Sequence, residues 1–412
     1  MKCRHCDAEL TLPLIDLGSA PPSNAYLTEK SLKAPEKWFP LKVLVCNQCW
    51  LAQTEDYAGA EDLFNADYAY FSSFSSSWLQ HADQYVTDIV GRFGLNKLSH
   101  VIEVASNDGY LLQYVKAKNI PCLGIEPTAS TAMAAREKGI EVIEEFFGVD
   151  LAKKLVALDK QADLTVANNV LAHVPDINDF VEGFAYLLKP NGVATFEFPH
   201  LMQMIKHTQF DTIYHEHFSY LSLSTVNRIF DHNGLRVFDV QEITTHGGSL
   251  RVFAQRKDRG QHEVTKTVTK LLTQELSLGM TTETYYADFQ QRANQIKYDL
   301  IEFLIKAKRE GKKVIAYGAA AKGNTLLNYA GIRPDLLSCV VDRNPAKQNK
   351  YLPGCRIPIM DESMISQQKP DYVLITPWNL RQEVMVQLKY IHVWGGKFVT
   401  AVPSLLVSVV DD

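Results

Sequence analysis

The sequence predicts an α/β protein built on two Rossmann-like, doubly wound sheets, with a small metal-holding segment ahead of them. Three observations carry this expectation. Short apolar runs alternate with helical segments between residues 101 and 198, a second alternation opens at Lys313, and two C-x-x-C pairs stand near the beginning. Strand–helix alternation at this interval specifies parallel strands joined by crossover helices.

The stretch to about residue 60 is rich in Pro and short apolar runs and contains Cys3, Cys6, Cys46 and Cys49. Each C-x-x-C turn presents two sulfurs to one ion, and Zn²⁺ suits four soft ligands in a tetrahedron. Four sulfurs leave no open position, so the expected role is a structural zinc that staples a poorly cored segment. Four reduced or redox-active cysteines are the plainer reading. In residues 61–82, Tyr68, Tyr70, Phe71, Phe74 and Trp78 are interleaved with Ser72, Ser73, Ser75, Ser76 and Ser77. Val86, Ile89, Val90 and Phe93 then recur at helical spacing, with Gly94 as the cap. Strands are expected at 101–104, 122–125, 164–167 and 193–198, and helices near 109–118, 129–138 and 178–188. Runs at 235–240 and 249–255 have no helix between them and read as an antiparallel edge pair. Residues 262–310 read as one or two long connecting helices. The second α/β unit opens at 313–318, with further strands at 337–341, 372–375 and 397–401. The expected division is a zinc-binding domain at 1–60, a first α/β core at 61–258 and a second α/β domain at 259–412.

Composition narrows the function classes. Of the 412 residues, 46% are hydrophobic and 22% charged, as in ordinary globular proteins. A net charge of −5 makes no electrostatic case for a nucleic-acid polymer or an anionic membrane as partner. No apolar run approaches the roughly 20 residues of a membrane span. The start, Met1-Lys2-Cys3-Arg4-His5-Cys6, lacks the apolar core of a leader peptide, so a cytoplasmic setting is the default expectation. The sequence leaves the oligomeric state open, a monomer included.

The first strand of the core runs into Glu103-Val104-Ala105-Ser106-Asn107-Asp108-Gly109. A strand ending in an acid, then a small-residue turn with Gly, lets the backbone approach a ligand closely. The dinucleotide pattern G-x-G-x-x-G is absent, which weighs against NAD. Glu126, before Pro127, ends the second strand, where a carboxylate can accept both hydroxyls of an adenosine ribose. Asn168 and Asn169 end the next strand and can face adenine or a methionine end. Each feature alone is compatible with an ordinary turn; in this order they read as a class I methyltransferase core for S-adenosylmethionine. In the second unit, Gly318-Ala319-Ala320-Ala321-Lys322-Gly323-Asn324 lies between a strand and a helix, where amides and Lys322 can hold a diphosphate. Asp342 ends the next strand at a ribose-binding position, Arg343 and Lys347 add positive charge, and the loop at Tyr351 can cover a substrate. A plain packing turn is the alternative.

The four-cysteine motif, the methyltransferase core, Ala172-His173-Val174-Pro175, Tyr214-His215-Glu216-His217-Phe218 and the C-terminal α/β domain together resemble the sugar 3-C-methyltransferases of deoxysugar pathways, over essentially the whole chain. Those enzymes methylate nucleotide-linked 4-keto-6-deoxyhexoses. The resemblance implies that Tyr214, Glu216 and His217 line the active site, with His217 as base. It implies that His173 and Tyr68, or Tyr70 in its place, face the sugar. It also implies a nucleotide diphosphate, dTDP or GDP, held between core and C-terminal domain. Such chemistry needs a base for the proton beside the ketone and a group that stabilises the enolate oxygen, for which Tyr214 and Tyr68 offer hydroxyls. If the 214–218 run is extended, Glu216 points away from His217. Several other readings compete with this one. His215 and His217 can be metal ligands or a surface cluster, and His173 a core histidine. A sugar-nucleotide oxidoreductase, an O- or N-methyltransferase and a zinc-bearing RNA-binding module are the rival functions.

Overall fold

The computed structural model describes residues 1–55, 57 and 71–408, and three sheets follow one another along the chain. The first is antiparallel and contains β1 (Leu12–Ala20), β2 (Phe39–Val45) and β3 (Ala52–Thr54). The second C-x-x-C pair is itself the turn between β2 and β3, with the Cys46 N–H donating to Leu51 O. The fourth strand of this small sheet comes from far along the chain and is introduced below.

The second sheet contains β4 (Val101–Val104), β5 (Cys122–Ile125), β6 (Glu141–Ile143), β7 (Ala162–Asn168) and β8 (Leu188–Pro199). After these the chain makes β9 (Ser219–Tyr220), which leaves this sheet and pairs with β3. β10 (Leu235–Ile243) and β11 (Ser249–Arg256) then return as the antiparallel edge, as the sequence predicts. The strand order is β10-β11-β8-β7-β4-β5-β6, with β4 to β8 parallel. Helices Ala129–Glu137 and Ile177–Leu187 fall where their periodicity places them. The 18-residue helix Ser76–Phe93 starts on the Ser75 hydroxyl, which accepts from Trp78 N, and ends on left-handed Gly94.

Helices Lys266–Ser277 and Phe289–Arg309 connect to the third sheet. That sheet contains β12 (Val314–Tyr317), β13 (Val340–Val341), β14 (Ile359–Met360), β15 (Tyr372–Ile375), β16 (Lys397–Thr400) and β17 (Leu406–Ser408). Its order is β14-β13-β12-β15-β16-β17, parallel except for β17. One apolar core runs through all three sheets, joining Leu14 and Val43 to Phe198 and Ile229, then to Leu300, Ala316 and Leu374. Separate clusters fill the remaining faces, around Tyr85 and Leu111 in the core and around Ile315 and Phe398 in the third sheet. Among the described residues, no helix is long and apolar enough to cross a membrane.

The connecting helices are locked to the core by Glu275, which is fully buried. It accepts from Leu223 N at 2.8 Å and Ser224 N at 2.7 Å, and pairs with His200 Nε2 at 2.7 Å. Burial alone would push its carboxyl up, but His200 and these donors bring it below the usual range. Removing one partner of such a pair strands the other in a dry interior. Glu275→Ala is therefore expected to lower unfolding free energy by about 3–5 kcal/mol, read by urea denaturation. A loss under about 1 kcal/mol would show that the pair contributes no more than a surface contact.

Candidate active site

The second sheet reverses its strand order between β4 and β7, and ligands of open α/β sheets sit outside the carboxyl ends at such a point. The turn after β4 puts Ala105, Asn107 and Gly109 in the left-handed region, at φ 57°, 49° and 73°. For the two non-glycine residues that conformation is strained and persists only where the surroundings impose it. They do: Ser106 N donates to Ile125 O, Asn107 N to Glu126 Oε2 at 2.9 Å, and Ser72 N to Asn107 Oδ1 at 2.9 Å. Ser73 N donates to Asp108 Oδ2, so part of the serine-rich stretch rests on this turn. At Gly109 a Cβ would lie 2.4 Å from Ile140 Cδ1, so a larger residue would have to displace that methyl as well as bear the positive φ.

Glu126 accepts Thr128 N on its other oxygen, across half-buried Pro127, which sets the carboxylate at the strand end where it can accept a ribose hydroxyl. Burial raises both the Glu126 and Glu103 carboxyls, the latter well above its usual range despite the Tyr110 hydroxyl. Ser106 Oγ, Asp108 Oδ1 and Asn168 Oδ1 are buried without a partner among the described residues. Unsatisfied polar atoms around a strained turn fit a polar ligand such as S-adenosylmethionine. Asn169, also left-handed at φ 54°, instead turns its amide to His246 Nε2 at 3.4 Å.

The 214–218 run is a turn, not an extended strand, because His217 N donates to Tyr214 O at 2.9 Å. The side chains therefore do not alternate between two faces. His215 reaches the carbonyls of Phe39 and Pro40 at 3.3 and 3.2 Å. His217 Nδ1 meets Thr212 O at 2.8 Å. The two rings thus have separate partners, and both residues are buried rather than on the surface. A carbonyl only accepts, so Nδ1 carries the hydrogen and Nε2 is the basic nitrogen. Burial, and secondarily His173, hold the imidazole well below its ordinary value, so it is neutral. The His217 ring centroid lies 4.0 Å from that of Tyr214 and 4.6 Å from that of His173, itself lowered to about 4 by burial. Glu216 accepts from Asn24 Nδ2 at 2.7 Å, and burial raises it to about 7. Tyr68 and Tyr70 lie outside the described residues.

The third sheet reverses between β12 and β15, and this second crevice supplies Lys322. Its ammonium donates to Asn379 Oδ1 at 3.2 Å and lies 4.7 Å above the Trp378 ring. Trp378 Nε1 donates to Asp211 Oδ2 at 2.7 Å, and Asp211 adjoins the Thr212 carbonyl that holds His217. Burial lowers Lys322 to about 8, opposed by Asp211, and raises Asp211 to about 6. Asp342 accepts from Ala319 N and Asn344 N, both at 2.8 Å, with Lys347 Nζ 3.8 Å away. Gly323 fits flush against Thr376, and buried Asn324 accepts from Asn328. Arg343 is exposed and donates to Gln387, and Tyr351 pairs its backbone with Leu27. Lys322 is thus the predicted substrate-binding residue that the fold brings beside Asp211 and His217.

Sequence reasoning misses Asp211, Trp378, Asn24 and His246. The His-Gly-Gly turn between β10 and β11 was a usable signal for His246, because a Cβ on Gly247 would lie 2.3 Å from the Trp378 ring. Also missed is the buried set in which Glu197 accepts Arg251 Nε at 2.6 Å and meets His81 Nε2 at 2.8 Å. His81 stacks on Trp78, which faces His246.

The Sγ atoms of Cys3, Cys6, Cys46 and Cys49 lie within 4.8 Å of one another, and Cys3–Cys49 and Cys6–Cys46 are each 3.5 Å apart. Tetrahedral zinc with bonds of about 2.3 Å needs sulfurs about 3.8 Å apart, a spacing that falls within the observed spread. The Cys3 thiol is drawn down to about 4, first by its hydrogen bond with Cys49.

Three family models match the chain: a zinc binding domain over residues 3–64, a methyltransferase domain over 78–240 and a C-methyltransferase C-terminal domain over 244–403. C-methyltransferase NovU of Streptomyces niveus is 34% identical over 403 residues, covering 98% of this chain and 96% of its own. A magnesium protoporphyrin IX methyltransferase of Synechocystis PCC 6803 with bound SAM matches at TM-score 0.36 and 14% identity, covering 50% of this chain and 100% of its own. A methyltransferase of Clostridium acetobutylicum matches at TM-score 0.36 and 10% identity, covering 44% and 92%. Those two likenesses are too low to bear on function. The first core is thus a class I S-adenosylmethionine methyltransferase fold, and the four cysteines are a structural zinc site.

Cys46→Ser is expected to release zinc and lower the melting temperature, read by metal analysis and calorimetry. Protein that keeps full stability without metal would remove the ion's structural role. In nitrogen-15 spectra, His217 is expected to remain neutral with hydrogen on Nδ1 at about pH 6, below the ordinary histidine value of about 6.5. Detection of the Nε2–H tautomer would contradict the assignment of the base.

Proposed function

The chain belongs to the C-methyltransferase family, and on that premise we propose that its acceptor is C3 of a nucleotide-linked 4-keto-6-deoxysugar, carried on dTDP or GDP. The observation that carries this reading is His217: a buried, neutral imidazole fixed through Nδ1 to Thr212 O, with Nε2 as its basic nitrogen. A proton beside a ketone calls for such a base, whereas methylation of an amine or an acidic hydroxyl does not.

In this reading His217 Nε2 removes the C3 proton, the C–H electron pair becomes the C3–C4 double bond, and the carbonyl π pair moves onto the ketone oxygen. A hydroxyl donor at Tyr214 stabilises that oxygen in a water-poor site, where electrostatic terms are large. His173 packs edge-on against the His217 ring and helps to hold it in place. Glu216, raised to about 7 and held by Asn24, is partly protonated near neutrality and can orient the sugar by donating a hydrogen bond. S-adenosylmethionine, held by Glu126 and the 105–109 turn, supplies an electrophilic methyl group when bound. Lys322 and the amides that open helix Ala321–Tyr329 face the diphosphate, and Asp342 fixes the turn that presents them. Reduced thiols holding zinc agree with a cytoplasmic setting.

The first test is mass spectrometry of products from dTDP- and GDP-linked 4-keto-6-deoxyhexoses incubated with labelled S-adenosylmethionine. Gain of one methyl by one of them identifies the nucleotide and the acceptor together, and no transfer to any would discard the sugar. His217→Asn is expected to cut turnover by about 10²–10⁴-fold with cofactor affinity unchanged. Deuterium wash-in at C3 should disappear with it. Wild-type exchange in that variant would assign proton abstraction to another residue.

A further inference from the structure

The first cysteine pair encloses Arg4, which no step above uses. Its backbone N–H donates to Gln53 Oε1 at 2.9 Å, and Gln53 Nε2 donates to Cys3 Sγ at 3.3 Å. The guanidinium then leaves the cysteine turn and reaches both histidine-bearing segments. Nη2 donates to Thr54 O at 3.0 Å, Nη1 donates to Pro175 O at 3.4 Å, and the group lies 4.9 Å above the Phe218 ring. Pro175 stands two residues beyond His173, and Phe218 directly follows His217. The same backbone is tied together beneath the fork. Thr54 Oγ1 donates to His217 O at 3.2 Å, Thr54 N to Phe218 O at 3.1 Å, and Phe218 N to Ala172 O at 2.8 Å.

We propose that Arg4 is a positioning residue through which the four-cysteine site sets the approach of His173 to His217. A planar guanidinium can bond two carbonyls while stacking on a ring, which an ammonium cannot do. A small misplacement of reacting groups caused by a change remote from the chemistry can cost on the order of 10²-fold in rate. The rest of the cysteine turn is moored differently. The His5 ring bonds Asn178 Oδ1 at 2.8 Å, and Asn178 Nδ2 returns to His5 O at 2.9 Å. Asn178 Nδ2 also reaches Arg4 O at 3.4 Å, so Asn178 moors the backbone of the metal turn, Arg4 included, without bonding to either histidine segment, and its loss serves as the control that separates backbone anchorage from the guanidinium fork.

The inference rests on the reading that His173 and His217 face the reacting carbon, so its test has one arm that needs no substrate. In full-length, zinc-loaded Arg4→Met, kcat is expected to fall roughly tenfold or more, with both KM values within about twofold of wild type. Zinc content should be unchanged. Nitrogen-15 resonances of the His173 and His217 rings should shift in the ligand-free protein, whereas Asn178→Ala should leave kcat and resonances as in wild type. Unchanged resonances in Arg4→Met, or an equal kcat loss in Asn178→Ala, would overturn the proposal. If Arg4→Met fails to fold, Arg4→Lys keeps the charge, loses the fork and is judged by the same criteria. Should wild type methylate no keto-sugar, the acceptor reading fails and the resonance arm still decides the role of Arg4.

Discussion

The pairing of β3 with β9 is the constraint on which the rest of this structure depends. Gln53 and Ala52, strand residues of the cysteine-stapled sheet, are in register with Ser219 and Tyr220. Those residues lie immediately beyond Phe218, so the turn carrying His217 cannot move without breaking a sheet. A segment too small to build its own core is thereby finished by a strand from the methyltransferase core. The turn carrying His217 in exchange gains a rigid frame. Backbone ladders do this better than side-chain contacts because each bonded pair fixes position and direction at once.

Much of this architecture is legible in the sequence because period and punctuation agree. The four expected core strands, the antiparallel edge pair and the two connecting helices all form where apolar spacing places them. Three-residue β6 and two-residue β9 and β14 escape, since so few residues carry no detectable alternation. The cysteine pairs and the Glu103–Gly109 turn are readable because metal ligation and close backbone approach each require particular residue types. Asp211 and Trp378 are not, since they lie in different crevices and acquire a role only through a hydrogen bond between them. The conformation of 214–218 is misjudged if taken as extended. Its residues are compatible with a strand, and the His217 N–H to Tyr214 O bond of the folded turn decides otherwise.

The two Rossmann-like units solve the same local problem in the same way. In the first, Glu126 at the end of β5 accepts Asn107 N from the preceding turn and Thr128 N two residues ahead. In the second, Asp342 after β13 accepts Ala319 N from the preceding turn and Asn344 N two residues ahead. In each, a buried or half-buried carboxylate ties a strand end to the neighbouring strand's turn, so the turn is formed before any ligand arrives. Preorganisation of this kind lowers the ordering cost of binding.

The apolar core that runs through all three sheets bears on how such a chain can be recombined. Leu14, Phe198, Leu300 and Ala316 belong to one packed body although they come from the cysteine-rich sheet, the methyltransferase core, a connecting helix and the third sheet. Packing at crystal-like density transmits a mismatch across a seam. Chimaeras that exchange the third sheet between relatives must therefore carry the facing residues of Phe289–Arg309 with it. The unit of exchange is the contact surface, whatever the boundary drawn along the chain.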